Sequence, residues 1–267
     1  MSVGHYENFP VASVLLPPRL RRPVAVIYRF ARSADDFADE GDAPPEARLA
    51  KLDACRREVL AIAAGASPEQ PLLQDVAAVI RQHSLPHQLF IDLLDAFSQD
   101  VTKRRYAHFD ELLDYCRRSA NPVGRLLLHL FKRTTDSDFE RSDAICTALQ
   151  LTNLWQDVGI DYAKGRIYLP EDDMARHGVT ERHLARRTCD PAWRALMRFQ
   201  VERTRRIMRS GESLGRALAG RVGFEIRATV QGGLRILEKI ERAHYDVFSR
   251  RPVLRALDWP LLLARAV

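Results

Sequence analysis

Cysteine is scarce in this 267-residue sequence, and its four copies are not spaced as pairs. Cys55, Cys116, Cys146 and Cys189 lie far apart, and no secretory signal stands at the amino terminus. A disulfide framework is therefore not expected, because such frameworks are typical of secreted chains with closely spaced cysteines. We expect a protein of the reducing cytoplasm.

Long hydrophobic runs and strand patterns are also missing. The longest apolar runs are far shorter than the ~20 residues that a membrane-spanning helix needs, so we expect no segment that crosses a bilayer. Alternating Val, Ile and Thr stretches that end in Asn-Gly or Asp-Gly turns are absent. This absence argues against a β-sheet.

Several cofactor and metal motifs are absent as well. The sequence has no GxGxxG or Walker-type glycine loop, so neither NADPH nor ATP is expected. His83 and His87 are four residues apart, like a pair of metal ligands, but Pro86 between them would break the helix that aligns them. We therefore interpret both histidines as surface residues.

The composition is that of a globular protein with a basic balance of charge. Hydrophobic residues make up 46% of the chain, which is enough for a large core, and no linker-like segment divides the sequence. We therefore predict one domain over residues 1–267. The formal net charge of +6 favours an anionic partner. Charge alone cannot choose between nucleic acid, a membrane surface and a phosphorylated small molecule.

Apolar residues recur at intervals of three and four along most of the chain, which predicts an all-α fold. Pro122 is expected to kink or break the helix that contains it. The paired glycines at 232–233 would serve either close helix packing or the passage of a lipid tail. The predicted helices span residues 18–40, 45–64, 72–83, 86–99, 109–131, 137–162, 191–219 and 223–249.

The first of two acidic stripes lies in the first predicted helix. Tyr28, Arg32, Asp35 or Asp36, and Asp39 recur at intervals of three to four, so they project along one side of the helix. Like charges at this spacing repel each other and destabilise an isolated helix. Their presence therefore indicates a compensating cation.

The second stripe lies in the predicted helix 137–162, where Gln150, Asn153, Asp157 and Asp161 recur at intervals of three and four. All four side chains are oxygen donors, which Mg²⁺ prefers, and the lack of His or Cys argues against zinc or copper. Either stripe alone would be interpreted as a solvated helix face. Two stripes in strongly apolar helices give a paired magnesium site equal weight with that interpretation.

Three sequence blocks surround the two stripes. Residues 31–40 read Ala-Arg-Ser-Ala-Asp-Asp-Phe-Ala-Asp-Glu, residues 153–161 read Asn-Leu-Trp-Gln-Asp-Val-Gly-Ile-Asp, and residues 165–170 read Gly-Arg-Ile-Tyr-Leu-Pro. With further blocks at 99–106 and 115–124, they resemble the squalene/phytoene synthase family over nearly the whole chain. The resemblance implies the all-α isoprenoid synthase fold of trans-isoprenyl diphosphate synthases, a helical bundle around a central cavity.

Within that family, three segments are similar to the hydroxysqualene synthases of bacterial hopanoid biosynthesis. They are Glu-Asn-Phe-Pro-Val-Ala-Ser at 7–13, Arg-Arg-Ser-Ala-Asn-Pro-Val-Gly-Arg at 117–125, and the Asn-Leu-Trp-Gln-Asp run at 153–157. This resemblance implies a lyase that converts presqualene diphosphate and water into hydroxysqualene and diphosphate, with two or three Mg²⁺ ions and without NADPH. A presqualene diphosphate synthase and a hydroxysqualene dehydroxylase would be its pathway neighbours.

The resemblance also implies roles for individual residues. The expected catalytic residues are Tyr28, Arg32 and Tyr168. The expected metal ligands are Asp35, Asp36, Asp39, Asn153, Asp157 and Asp161. The expected substrate contacts are Asn8, Phe9, Tyr115, Gln150, Gln156, Lys164 and Arg166, although core packing is an equal alternative for Phe9.

Three positions depart from the wider family pattern. Asn8 replaces the usual serine, Gln156 stands where arginine or glutamate is usual, and Ile160 stands where an acidic residue is common. These changes alter charge and hydrogen bonding near the expected diphosphate site. They weaken the match to the condensation and reduction that a squalene synthase performs.

Two alternatives stay open. A sister enzyme, a prenyltransferase that condenses two prenyl diphosphates into presqualene diphosphate, squalene or phytoene, would share the metal site. A basic helical protein that binds nucleic acid or a membrane surface would explain the charge alone. For the enzyme we expect no nucleic-acid partner, and weak peripheral contact with the inner membrane through a basic and apolar rim such as residues 259–267, because substrate and product are apolar.

Overall fold

The computed structural model describes residues 16–39 and 41–267, and this part of the chain consists of helices and loops without β-strands. The predicted all-α fold is therefore confirmed. Two residues of the expected substrate site, Asn8 and Phe9, lie outside the described residues. The helices of the first half are α1 (Pro18–Asp39), α2 (Pro45–Ala63), α3 (Pro71–His83), α4 (Gln88–Thr102), α5 (Phe109–Ser119) and α6 (Asn121–Leu130).

The second half of the chain alternates long helices with short ones. Among the described helices, none is long and apolar enough to cross a membrane. The helices of this half are α7 (Asp136–Gln156), α8 (Val158–Ala163), α9 (Glu171–Arg176), α10 (Glu181–Ala185), α11 (Pro191–Gly211), α12 (Leu214–Ala217), α13 (Gly220–Arg242), a 3₁₀ helix (Ala256–Asp258) and α14 (Trp259–Ala266).

Three predicted helices are each divided in two. The helix predicted for 109–131 breaks at Ala120, just before Pro122, as expected from the proline. The helix predicted for 137–162 breaks at Asp157, whose φ of −104° and ψ of 9° are not helical. The helix predicted for 191–219 ends at Gly211 and resumes at Leu214. Within the described part, α9, α10 and α14 were missed because they are too short for a periodic pattern.

Local sequence explains where several helices begin. Proline occupies the first turn of α2, α3 and α11, where its missing N–H costs no intrahelical hydrogen bond. Thr135 caps α7 by accepting a hydrogen bond from the Asp138 backbone N–H at 3.1 Å. Asp190 caps α11 in the same way, through the Trp193 N–H at 2.9 Å.

Three clusters of buried apolar side chains hold the helices together. One joins α1, α2, α3, α4 and α6. A second lies between α5, the end of α7, the segment 167–201 and α13, and contains the fully buried Trp155 and Trp193. A third joins α6, α7, α11, α12 and α13 around Ile145 and Met208. The Trp155 indole N–H donates to Thr204 Oγ1 at 2.8 Å, so α7 and α11 are fixed to each other by a polar contact within an apolar interface.

Two glycines allow helices to approach closely in this core. A Cβ at Gly211 of α11 would lie 2.4 Å from the Arg141 backbone oxygen and 2.8 Å from Ile145 Cγ1 of α7. A Cβ at Gly233 of α13 would lie 2.6 Å from Met208 Cε and 2.9 Å from Leu149 Cδ2. Of the two interpretations of Gly232-Gly233, these contacts favour close helix packing.

Replacing Gly211 with alanine is expected to destabilise the fold. The new methyl group cannot avoid the Arg141 carbonyl without shifting backbone, which costs about 1–3 kcal/mol of unfolding free energy. Urea denaturation measures this loss. The matched control is Gly159→Ala in α8, where a Cβ would meet Phe248 Cδ1 at an ordinary 3.6 Å. A Gly211→Ala protein as stable as the control would contradict the close packing of α11 against α7.

Candidate active site

A cavity of about 570 Å³ lies in the middle of the helical bundle. Its wall is formed by α1, α4, α5, α6, α7, α12 and α13, and most of its lining is aliphatic or aromatic. Its size falls in the range of small-molecule sites, about 300–1,000 Å³. Six residues that the sequence predicts for the site belong to the wall: Tyr28, Arg32, Asp35, Tyr115, Gln150 and Asn153.

On α1, the first acidic stripe is arranged around Arg32. The guanidinium lies 3.3 Å from Asp35 Oδ2 and 2.6 Å from Asp36 Oδ1, as the spacing of three and four residues predicts. Burial and the neighbouring charge of Asp39 raise the pKa of Asp35 to about 7, although Arg32 opposes the rise. The Asp35 carboxyl therefore binds a proton more tightly than usual, mainly because it is buried.

Asp39, at the end of α1, is held by two cations from the loop after α8. Arg166 donates from both terminal nitrogens to its two carboxylate oxygens at 2.7 and 2.8 Å, and Lys164 Nζ donates to Oδ2 at 2.9 Å. Burial alone would raise the pKa of Asp39, but the Arg166 and Lys164 hydrogen bonds outweigh it and lower the pKa to about 2. The end of the first stripe is thus in direct contact with the loop that follows the second stripe.

A tight turn places Arg166 against Asp39. Gly165 adopts a φ of +78°, which residues other than glycine rarely adopt. The Arg166 backbone N–H donates to the Asp161 carbonyl at 2.8 Å across this turn, which ends α8. The Ile167 N–H then donates to the Arg104 carbonyl at 2.9 Å. This segment therefore runs beside residues 104–106 and carries Tyr168 towards Asp100.

The second acidic stripe is divided by the helix break at Asp157. Asp157 forms an ion pair with Arg251, through Nε to Oδ1 and through Nη2 to Oδ2 at 3.0 Å. Burial and the charge of Asp157 raise the pKa of Asp161 to about 7, and the charge of Asp39 contributes in the same direction. The geometric link between the two stripes is the cavity itself, which Asp35 of the first stripe and Gln150 and Asn153 of the second all line.

Internal cations hold most of these carboxylates in the structure. Within the described residues, no three His, Cys, Asp or Glu side chains converge closely enough to bind a metal ion as they stand. Asp39 is directed to Arg166 and Asp157 to Arg251. The donor set nevertheless fits Mg²⁺, because it is made of carboxylate and amide oxygens. Burial is the main cause of the raised pKa values of Asp35 and Asp161, and the charges of Asp39 and Asp157 add to it.

A buried tyrosine cluster lies behind one side of the cavity. Tyr115 of the cavity wall and Tyr168 both donate to Asp100 of α4, each at 2.8 Å. Tyr106 completes the cluster, with its ring stacked on Tyr168 at a centroid distance of 5.5 Å. Tyr168 is not one of the described residues that line the cavity. Its expected catalytic role would therefore act through this cluster.

Gln156 is placed away from the cavity. Its side chain is buried, and its amide donates to the Pro252 carbonyl at 2.5 Å, which ties α7 to the carboxyl-terminal segment. It is not part of the cavity wall in the described region. This placement does not support the expected substrate contact, because the Gln156 side chain is directed to the carboxyl-terminal segment.

Two residues of this region were not singled out from the sequence. Asp100 was noted only as part of a family block, and Arg251 follows Asp157 by 94 positions. No spacing pattern connects residues so far apart. The one signal in the sequence for Asp100 was an aspartate near the end of an apolar helix.

Comparison with known proteins agrees with this geometry. A sequence profile described as squalene/phytoene synthase matches residues 3–258. The hydroxysqualene synthase of Rhodopseudomonas palustris (strain ATCC BAA-98 / CGA009) is 33% identical over 255 residues, which cover 95% of this chain and 85% of that protein. The 15-cis-phytoene synthase of Synechococcus elongatus (strain ATCC 33912 / PCC 7942 / FACHB-805) is 32% identical over 284 residues, which cover 100% of this chain and 91% of that protein.

A solved structure shows the same fold. The crystal structure of squalene synthase HpnC from Alicyclobacillus acidocaldarius superposes with a TM-score of 0.83 and 35% sequence identity, and the match covers 90% of each chain. The helical isoprenoid synthase fold is therefore confirmed. From the profile match, the identities and the shared fold together, we conclude that this chain belongs to the squalene/phytoene synthase family.

Proposed function

We propose that this protein is a hydroxysqualene synthase that ionises presqualene diphosphate with the help of Mg²⁺ and captures the resulting carbocation with water. The observation that carries the proposal is a largely apolar cavity that is lined by Asp35 of the first stripe and by Gln150 and Asn153 of the second. The similarity to hydroxysqualene synthases at 33–37% identity supports the specific reaction. The C–O bond to diphosphate breaks, a C–O bond to water forms, and one proton leaves the water.

The proposed metal ligands are the acidic and amide side chains of the two stripes. Bound Mg²⁺ would supply Lewis-acid stabilisation of the charge that develops on the leaving diphosphate. Asp39 and Asp157 are engaged by Arg166 and Arg251 in the structure, so these carboxylates would have to exchange a guanidinium for a metal. The ligands from α1 would be Asp35, Asp36 and Asp39, and those from α7 and α8 would be Asn153, Asp157 and Asp161.

Basic side chains at the same end of the cavity would bind the diphosphate oxygens. Arg32 is part of the cavity wall, and Lys164 and Arg166 reach Asp39, at the end of the same helix, from the loop after α8. A guanidinium matches phosphate oxygens with two parallel hydrogen bonds. The Arg166 Nε atom is buried and makes no hydrogen bond within the described part of the chain, so it retains a donor for such a ligand.

The rest of the cavity suits a carbocation with two isoprenoid tails. Aliphatic side chains from α1, α6, α7 and α13 form much of the wall. Tyr28 and Tyr115 contribute aromatic rings, whose faces stabilise positive charge by roughly 0.5–2 kcal/mol each. Gln150 is a polar group in the same wall and would contact the substrate near the ionised end.

A condensing prenyltransferase is the second candidate, because phytoene synthases are similar to this chain at nearly the same identity. The test offers presqualene diphosphate and farnesyl diphosphate separately, with Mg²⁺ and without NADPH, and identifies the lipid product by mass spectrometry. We expect hydroxysqualene from presqualene diphosphate. Turnover of farnesyl diphosphate, with none of presqualene diphosphate, would assign the protein to the condensing enzymes instead.

We further propose that the carboxyl-terminal segment touches a lipid surface. Large apolar side chains are exposed there, including Leu257 at 91% and Trp259 at 36% of their surface. α14 buries only Leu262 and Ala266 against the bundle, so its other face stays open. Arg255 and Arg265 lie near the two ends of this segment, and Arg265 pairs with Glu238 at 2.6 Å. Such a surface suits an enzyme whose substrate and product are both lipids.

Vesicle flotation tests this contact. The double change Leu257→Ser and Trp259→Ser is expected to reduce binding to phosphatidylcholine/phosphatidylglycerol vesicles by about tenfold or more, since each buried apolar side chain contributes about 1.5–3 kcal/mol. The control is Leu60→Ser on α2, because Leu60 is also an exposed large apolar residue, at 49% of its surface, but lies outside the carboxyl-terminal segment. Equal binding of both variants, or lack of binding by the unmodified protein, would refute the proposal.

A further inference from the structure

Asp100 is a buried carboxylate beside the cavity that belongs to neither acidic stripe. Asp100 is 6% exposed. Tyr115 Oη donates to its Oδ2 at 2.8 Å, and Tyr168 Oη donates to its Oδ1 at 2.8 Å. Both phenol protons therefore point at the carboxylate. A phenol oxygen that donates its only proton in one direction presents its lone pairs elsewhere, as an acceptor.

The position of this cluster relates it to the reacting end of the cavity. Tyr115 belongs to the cavity wall, and Asp100 lies behind it. The charge of Asp100 reaches Asp35, whose pKa it helps to raise. The charges of Arg166 and Asp39 act on Asp100 in turn, in opposite directions. The cluster is thus close to the place where the diphosphate would leave and the cation would form.

The carboxyl and the two phenols of the cluster differ in pKa. Burial raises the pKa of Asp100 to about 6, although the hydrogen bonds from Tyr115 and Tyr168 oppose the rise. Burial and the adjacent charge of Asp100 raise the pKa of both tyrosines well above their usual value. At neutral pH the phenols are therefore protonated and Asp100 is ionised, which leaves Asp100 as the member that can take up a proton.

We propose that Asp100 is the positioning residue for water capture: it orients the Tyr115 hydroxyl and receives, through that phenol, the proton that the captured water loses. The inference rests on the proposed function, because it assumes that the cation is quenched by water. In the step, the water oxygen bonds to the carbocation and releases a proton to the Tyr115 oxygen. The Tyr115 proton moves to Asp100 Oδ2, and both charges are neutralised.

The competing route sends this proton to the released diphosphate, which also carries acceptor oxygens. The two routes differ in what the loss of Asp100 would do. If Asp100 accepts the proton, removing its charge slows water capture, and the cation instead loses a proton of its own to give a hydrocarbon. If diphosphate accepts the proton, the proportion of alcohol does not depend on Asp100.

The experiment measures the ratio of hydroxysqualene to hydrocarbon products from presqualene diphosphate and Mg²⁺ in ¹⁸O-labelled water. Because both products arise from the same cation on folded enzyme, an unfolded fraction cannot change their ratio. In Asp100→Asn and in Tyr115→Phe we expect this ratio to fall by about tenfold or more, as for the loss of a positioned acid–base group. The Tyr115→Phe variant keeps the aromatic face and serves if Asp100→Asn does not fold.

The matched control is Tyr106→Phe, in the same buried cluster. The Tyr106 hydroxyl accepts a hydrogen bond from Gln99 Nε2 at 3.0 Å, so its loss leaves the two bonds to Asp100 in place. Its product ratio should equal that of the unmodified enzyme. Unchanged ratios in both Asp100→Asn and Tyr115→Phe would overturn the inference while leaving the proposed function intact. Absence of ¹⁸O-labelled alcohol from the unmodified enzyme would instead refute the proposed function.

Discussion

Replacing Asp157 with asparagine is expected to slow diphosphate release by at least about 100-fold, the effect of losing one electrostatic stabiliser of a leaving group. Asp157 lies at the break between α7 and α8, where its carboxylate pairs with Arg251 and its charge helps to raise the pKa of Asp161. The substitution removes a negative charge from the proposed metal site but keeps the side-chain size. Release of inorganic diphosphate from presqualene diphosphate measures the loss, and circular dichroism checks the fold.

Asp143→Asn is the control for this substitution. Asp143 is on α7, its side chain is 20% exposed against 23% for Asp157, and Arg125 pairs with it at 2.6 Å. Both changes therefore break a largely buried pair between an aspartate and an arginine from another segment, but Asp143 lies outside the proposed site. Similar rates for the two variants would mean that Asp157 acts only as an ion-pair partner.

Removing Arg166 is expected to cost roughly 2–4 kcal/mol of unfolding free energy, near the lower side of values for breaking a buried ion pair. Arg166 is 7% exposed and holds both oxygens of Asp39, which is itself 21% exposed. Arg166→Met would leave that carboxylate with Lys164 alone in a poorly hydrated place. Urea denaturation in the absence of metal ions measures the effect without any contribution from catalysis.

Lys164→Met provides the comparison, because Lys164 binds the same carboxylate from a position that is 48% exposed. Exposed pairs contribute only about 0–1 kcal/mol. The Arg166 effect should also shrink at low pH. The pKa of Asp39 is lowered from 3.8 to about 2, so its ion pair stabilises the fold above about pH 4 and is lost as the pH falls towards 2. Equal losses in the two variants, or a loss that does not change with pH, would contradict this account.

The sequence predicts those parts of the site that lie on one helix. Spacing of three and four residues correctly places Tyr28, Arg32 and Asp35 on the cavity side of α1, and Gln150 and Asn153 on the cavity side of α7. The same rule fails beyond Gln156, because the helix breaks at Asp157 and the next residues follow a new axis. A prediction from periodicity assumes a continuous helix. One non-helical residue changes the side of the helix on which all later side chains lie.

Contacts between distant segments were beyond sequence reasoning. The Asp39–Arg166 pair joins residues 127 positions apart, and the Asp100–Tyr168 hydrogen bond joins residues 68 positions apart. Such pairs depend on how helices pack, which is set by interfaces such as that at Gly211 rather than by local pattern. Lys164 and Arg166 were expected to contact the substrate, and the structure shows their partner within the protein, Asp39.

The most direct test of the account is a crystal structure of the protein with Mn²⁺, as an anomalous substitute for Mg²⁺, and a non-hydrolysable diphosphate analogue. The account predicts metal ions bound by oxygens of Asp35 or Asp39 from α1 and of Asp157 or Asp161 from the other stripe, at about 2.0–2.3 Å. Arg166 or Arg251 should then have moved from its carboxylate towards the diphosphate. Metal ions bound by one stripe alone, or a diphosphate held only by arginines without a metal, would contradict it.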